Sequence, residues 1–336
     1  MIVTTDTTHA PEPVAAGPLP WEKHLAREPG TDAEQEAAFE TRRQERVLAL
    51  QKARRLAVFQ TVGWGFFSLL DSRILFLMVV GGVIPFADSF LEGPRLRRLT
   101  REQERWEQAF SDWINGKRIV LPLLVPCALL ALFALQWFLG LERSIAAAGL
   151  VRPAVAAGET WRLLTYGALH ANGLHIVYNG IMLCIVMAQV MTLAGPPMAG
   201  IVYLTGVIAG GAFSFSSPGG PPTVGASGGI LGLLGFITFL TLRTRRDIPA
   251  GFWQRLLRLW VIIILVGLLF HEWIDNWAHL GGALSGAGLA WLLVGMRPFA
   301  LPLAPGRVLT LAGWVAWAVV LVSLALTAAR IAGWPA

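Results

Sequence analysis

Ser227 stands among small residues, in Gly225-Ala226-Ser227-Gly228, where a loop rich in proline and glycine gives way to the apolar run 229–242. A hydroxyl at the start of an apolar helix, with nothing bulky beside it, is placed to be reached. His279 opens a second apolar run, and a serine within hydrogen-bond reach of an imidazole is an activated nucleophile with its base. His175 and Asn179 lie four apart at the start of a third run, so they share one helix face. A hydroxyl, a base and two side chains able to donate hydrogen bonds are the parts of acyl transfer.

Those side chains need helices in a particular solvent. The 336 residues are 55% apolar and only 14% charged, and the mean hydropathy is +0.58. That balance belongs to an all-α polytopic membrane protein rather than a soluble domain. A crossing needs roughly 20 apolar residues, and the spans read as 119–141, 174–193, 199–215, 227–242, 256–271, 276–295 and 308–330. The net charge of +6 then describes loops and orientation, and no nucleic-acid partner is expected. Cys127 and Cys184 both fall in apolar segments, which implies no disulfide framework and no thiolate metal site.

Charge fixes the expected orientation. Arg95, Arg97, Arg98, Arg101, Arg105, Lys117 and Arg118 precede the first span, Arg243, Arg245, Arg246, Arg255 and Arg258 follow the fourth, and Arg297 and Arg307 follow the sixth. Positive charge and crossing parity agree on a cytoplasmic start, although Arg143, Arg152 and Arg162 sit in the long outer segment 142–173. The second, fourth and sixth spans therefore begin at the outer face and deliver His175, Asn179, Ser227 and His279 to one depth. The fourth span is only about 24 Å long against roughly 30 Å of hydrocarbon, so Ser227 lies below the surface. The irregular stretch Ser216 to Pro222 ahead of it needs protein or a water-filled cavity around it. Gly228, Gly232 and Gly235 line one face of the fourth span, as Gly282, Gly286 and Ala290 do on the sixth, and such small-residue faces let two helices approach closely.

Residues 1–118 are expected to be a cytoplasmic N-terminal region, preceding a transmembrane domain at 119–330. The segment 32–55 alternates charge with helix formers and reads as a solvated helix. Two apolar stretches in 56–91, divided by Asp71-Ser72-Arg73, read as an interfacial or re-entrant hairpin, with one more crossing as the alternative. The start of the chain lacks a basic stretch followed by an apolar one, and Glu12, Glu22, Glu28 and Glu34 argue against a transit peptide. A bacterial cytoplasmic (inner) membrane is the expected location.

Gly225-Ala226-Ser227-Gly228, Ala278-His279-Leu280-Gly281-Gly282, His175-Ile-Val-Tyr-Asn179 and Trp161-Arg162 together resemble the rhomboid family of intramembrane serine proteases, over residues 119–330. The resemblance implies a six-helix core plus a seventh C-terminal transmembrane helix. It implies a Ser227–His279 dyad without a carboxylate partner and an oxyanion site at His175, Asn179 and the Ser227 backbone N–H. It also implies supporting roles for His170 and Gly225 and for Trp161 and Arg162 in the first outer loop. Substrates would be single-pass or polytopic membrane proteins with a locally unstable helix, cleaved near the outer face. The short fifth span, interrupted at Gly267, would be a mobile side gate. Where the family often has an aromatic residue four positions after the serine, this chain has Leu231, which implies altered rate more than loss of activity.

Other readings stand beside these. His170 is either structural or part of the site, and Trp161 and Arg162 also suit interface anchors. His271, Glu272 and Asp275 mark a water interface rather than a metal site, so neither metal nor cofactor is expected. Asp275, four residues before His279, is expected to cap its helix rather than complete a triad. A catalytically inactive relative that binds transmembrane helices would share the architecture, but it has no chemical reason to keep Ser227, His279, His175 and Asn179 together. A transporter lacks its usual paired acids and broken-helix repeat here.

Overall fold

Helices carry the regular structure of the described residues, which in this computed structural model are 19–25, 30–68, 74–115, 120–217, 219–245, 247–295 and 299–334. Asp71-Ser72-Arg73, Lys117, Arg118, Arg246 and Arg297 lie outside them. The N-terminal part holds α1 (Asp32–Ser68), α2 (Ile74–Met78), a π-helical turn (Val79–Val83), α3 (Ile84–Arg98) and α4 (Arg101–Asn115). The spans are α5 (Leu121–Leu139), α9 (Gly173–Ala194), α10 (Pro196–Ser216), α11 (Ser227–Arg243), α12 (Ala250–Leu269), α13 (Asn276–Val294) and α14 (Arg307–Ile331). Between α5 and α9 run three short helices, α6 (Leu141–Ala148), α7 (Arg152–Ala156) and α8 (Arg162–Thr165). All seven spans except α11, which has 17 residues, are long and apolar enough to cross a membrane. The chain is an all-α, multi-pass integral membrane protein.

α11 is the central helix. It is apolar around its whole circumference and nearly all of it is buried, as expected of a helix enclosed by others rather than facing lipid. Its glycines set the packing. A Cβ placed on Gly282 or Gly286 of α13 would run into the backbone of Gly228 or Gly232, and one on Gly235 would run into Ala283. On the other side, a Cβ on Gly206 of α10 would lie 3.0 Å from Gly228 O and 3.1 Å from Gly232 Cα. α10, α11 and α13 thus touch backbone to backbone, which in lipid supplies the dispersion contact that the hydrophobic effect cannot. α14 docks on the first turn of α10, where Trp317 Nε1 donates to Pro196 O at 3.0 Å and Gly313 abuts Pro197.

Two span boundaries differ from the sequence expectation. α10 begins at Pro196, because Gly195, at φ +86°, ends α9 and a proline pair suits a first helical turn, where no N–H bond is lost. α12 begins at Ala250, so Arg255 and Arg258 are helical rather than loop residues. The same helix is neither short nor interrupted: it runs unbroken through Gly267, whose carbonyl also accepts from Asn276 Nδ2 at 2.8 Å. A Cβ at Gly267 would strike that asparagine, which accounts for the glycine without a break.

The charged segment 32–55 and the first apolar stretch are one continuous helix, α1, which packs against α3. Arg54 of α1 donates to Ser89 Oγ at 3.2 Å and Ser89 O at 3.1 Å, and covers the ring of Phe90 at 4.1 Å. α4 is amphipathic, and Phe110 and Trp113 on its buried side close around Trp21 at 5.0 and 5.1 Å between ring centroids.

Candidate active site

Ser227 is the first residue of α11. The first N–H groups of a helix have no intrahelical acceptor, so this end presents donors and the positive pole of the helix dipole. The loop before it is pinned in two places. Thr223 pairs with Leu150 in an antiparallel bridge, through bonds of 3.0 and 3.1 Å, and Gly225 N donates to Tyr166 O at 3.0 Å. Gly225 has φ +125°, and a Cβ there would lie 2.7 Å from His175 Nε2 and 3.5 Å from Asn179 Nδ2. A glycine is therefore required twice over, by its backbone angle and by the two side chains against it.

His175 and Asn179 are carried by the first turns of α9, which Asn172 caps by accepting from His175 N at 2.9 Å. Asn179 is buried, and its amide nitrogen has no hydrogen-bond partner. His170 is wholly buried with its ring edge-on to His175, centroids 5.0 Å apart. Its backbone is gripped at both ends by Gln136 of α5, which accepts from His170 N at 3.0 Å and donates to His170 O at 3.4 Å.

His279 arrives from α13. Gly282, one turn further along, abuts Gly228, the residue after Ser227. A Cβ on Gly210 would lie 2.9 Å from Ala278 O and 3.2 Å from Gly228 Cα, so the Ala278–His279 and Ser227–Gly228 backbones flank one point. Both Ser227 and His279 are half-buried, and His279 Nδ1 is buried without a partner. Buried polar atoms are normally satisfied. Among the described residues, His279 Nδ1, Asn179 Nδ2 and both ring nitrogens of His170 are buried without a hydrogen-bond partner.

Asp275 caps α13, accepting from Ala278 N at 3.0 Å through Oδ1. Its other oxygen accepts from Ser214 of α10 and, at 2.6 Å, from Thr223 of the loop before Ser227. Arg152 extends this cluster, donating to Ser214 O at 2.9 Å and Ser217 Oγ at 2.9 Å. Burial pushes the Asp275 carboxyl up, but the donors from Ser214, Thr223 and Ala278 and the charge of Arg152 outweigh it and hold the group below the usual carboxylate range. The hydrogen bonds of both Asp275 oxygens go to Ser214, Thr223 and Ala278, and His279 Nδ1 has no hydrogen-bond partner.

Trp161 and Arg162 lie elsewhere. Arg162 is buried and donates to Ala146 O at 3.1 Å, Gly149 O at 2.7 Å and Glu159 at 2.6 Å. The Trp161 ring lies between the guanidinium groups of Arg162 and Arg330, at 4.7 and 4.4 Å, and so ties the first outer loop to α14. Leu231 is buried one turn below Ser227.

Two positioning residues escaped the sequence reading. Gln136 announced itself as the one amide in the apolar span Leu121–Leu139, a place where polar side chains are costly. Tyr166 carried no such signal. It is buried, donates to Val207 O at 2.7 Å, and would lie 2.9 Å from a Cβ on Gly228. It wedges between α10 and α11 while its carbonyl holds Gly225.

Residues 157–296 match the family described as Rhomboid domain. Among known proteins, the chain is 31% identical over 144 residues to RHOMBOID-like protein 6, mitochondrial, of Arabidopsis thaliana, covering 43% of this chain and 47% of that one. It is 31% identical over 192 residues to Rhomboid protease GluP of Bacillus subtilis, covering 56% of this chain and 37% of that one. Rhomboid-related protein 2 of Mus musculus is 27% identical over 188 residues, covering 52% of this chain and 61% of that one. The chain thus spans less than half the length of the first two. The matched residues take in α9 to α13, which carry Ser227, His279, His175 and Asn179, and this stretch of the chain is a rhomboid domain.

Proposed function

We propose that this chain is an intramembrane serine endopeptidase working through a Ser227–His279 dyad. The observation that supports the reading is the glycine interlock of α11 with α13, in which Gly228, next to Ser227, abuts Gly282, one turn past His279, while Gly225 lies against His175 and Asn179. Ser227 Oγ attacks the scissile carbonyl carbon as His279 takes its proton. The oxyanion is met by the Ser227 N–H and the side chains of His175 and Asn179, one such donor being worth about 3–4 kcal/mol. The C–N bond then breaks as His279 returns the proton to the leaving amine. Water attacks the acyl-enzyme with His279 as base, releasing the new carboxyl terminus and restoring the serine. Since both Asp275 oxygens are engaged elsewhere, the imidazole works without a carboxylate partner.

The substrates under this reading are single-pass or polytopic membrane proteins, cleaved near the outer face of a bacterial cytoplasmic membrane. Excess arginine at the opposite ends of the spans supports that orientation. The test is labelling by a serine-reactive fluorophosphonate in lipid, comparing wild type with Ser227→Ala and His279→Ala. Labelling of wild type alone is expected. A folded wild type that does not label refutes the enzyme and leaves a protein that binds transmembrane helices without cutting them.

A further inference from the structure

The N-terminal hairpin has contacts that the Ser227 site does not require. Its arms, residues 56–68 of α1 and 74–91 of α2, the π-helical turn and α3, are packed together, with Gly82 lodged against Thr61. The base is fastened to α12: Arg258 meets Asp88 at 2.8 Å and Glu92 at 2.8 Å. Glu92 also pairs with Arg95, which reaches Glu107 of α4. Near the far end Phe76 sits edge-on to two aromatic rings, 5.2 Å from Phe270 at the end of α12 and 5.7 Å from Tyr178 of α9. The interval from Arg258 to Phe270 equals that from Asp88 back to Phe76, about 18 Å of helix. The hairpin thus meets α12 at two anchors, twelve residues apart on each element.

That position is telling because α12 is the loosest of the spans. Leu257, Ile264, Leu268 and Leu269 are more than half exposed. Where α10, α11 and α13 meet through backbone, α12 is held by single side chains, such as Trp260 Nε1 donating to Thr238 at 2.9 Å and Asn276 to Gly267 O. Tyr178 is the neighbour of Asn179, and Asn276 lies one turn before His279. Phe76 is thus the side chain seated between Tyr178 of α9 and Phe270 at the end of α12, at points close in sequence to Asn179 and Asn276.

We propose that the hairpin is an intramolecular occupant of the α9–α12 seam, competing there with the transmembrane segment of a substrate, so that its release sets access to Ser227. The π-helical turn gives the second arm a weak point at Gly81-Gly82, since such turns carry a widened and less regular hydrogen-bond ladder. The word substrate rests on the protease reading, whereas the occupancy of the seam does not.

The experiment joins residues 76 and 270 covalently. Phe76→Cys and Phe270→Cys are introduced with Cys127→Ala and Cys184→Ala, and the pair is either bridged by a short bismaleimide or capped by N-ethylmaleimide. In nanodiscs, bridging is expected to slow cleavage of a fluorescein-labelled Leu/Ala/Gly-rich transmembrane peptide at least tenfold relative to the capped protein. Labelling by a small water-soluble fluorophosphonate should change less than twofold. Phe76→Ala alone should speed peptide cleavage at least threefold. Equal cleavage in bridged and capped forms overturns the proposal. Should the chain prove not to be a protease, peptide binding by the same pair in a Ser227→Ala background decides the matter. Bridging should weaken binding at least tenfold; equal binding, or binding by neither form, overturns it.

Discussion

Asp275 separates a positioning carboxylate from a catalytic one. Asp275→Ala removes the cap of α13, worth about 1 kcal/mol, and the acceptor shared by Ser214 and Thr223. A hydrogen bond to a charged group contributes about 1.5–3 kcal/mol. The two hydroxyl oxygens lie 2.7 Å apart, so one can turn to donate to the other when the carboxylate goes. The net loss is then about 2–4 kcal/mol, read as denaturant stability in detergent micelles. Asp275→Asn keeps the capping oxygen and lets both hydroxyls turn to accept from the amide, so about half that loss is expected. Because the carboxyl is held below its ordinary value, its contribution is present above about pH 4 and is lost as pH falls through the lower folded value. The asparagine variant should lack that acid limb. On activity, an aspartate that orients a catalytic imidazole costs about 10⁴ in kcat when changed to asparagine, as in the serine-protease triad. Here peptide cleavage should fall less than tenfold. A thousandfold loss with unchanged stability would put Asp275 in contact with the His279 ring in the working enzyme and refute the geometric argument.

Two further outcomes follow from the packing. Gly286→Ala drives a methyl group into the Gly232 carbonyl; overpacking of this kind costs about 1–3 kcal/mol, and the displaced α13 should reduce fluorophosphonate labelling along with stability. Full labelling would mean that the α11–α13 spacing does not set the site. Gln136→Leu strips the His170 backbone of both partners, and each buried unsatisfied group costs about 1–3 kcal/mol. A stability loss of about 2–4 kcal/mol is expected, and no measurable loss would show that water takes over those bonds.

Much of the fold was legible because lipid imposes strict rules. Runs of apolar residues near 20 long gave seven spans, and small-residue spacing on 227–242 and 276–295 anticipated the close approach of α11 and α13. Parity brought His175, Asn179, Ser227 and His279 to one end of the bundle, where the structure has them. The capping role of Asp275 could be read from its place before a helix, but its bonds to Ser214 and Thr223 join parts of the chain that no local pattern connects. Tyr166 was invisible for the same reason, since its hydroxyl and carbonyl hold two separate elements. The interruption expected at Gly267 and the late start of α12 both came from treating a glycine and two arginines as helix-enders. Their partners, Asn276 for the glycine and Asp88 and Glu92 for Arg258, lie on other helices.

The distribution of glycine divides the molecule into a part that cannot part and a part that can. α10, α11 and α13 touch through main chain, so separating them by even a methyl group loses many dispersion contacts at once. Under the protease reading, a Ser227–His279 pair carried on two such helices would keep its geometry whatever happens at the lipid boundary, which is what a preorganised site requires. α12 has the opposite character: beyond the core contacts of Phe252 and Leu256 near its start, it is joined by separate side-chain contacts such as a hydrogen bond, an aromatic edge and an ion pair. A protease of the kind proposed, which would admit a whole helix from the bilayer, needs both characters in one fold. The N-terminal hairpin fastens onto α12 through Arg258 and reaches α9 at Phe76. A device acting on entry rather than on chemistry belongs on that side of the molecule.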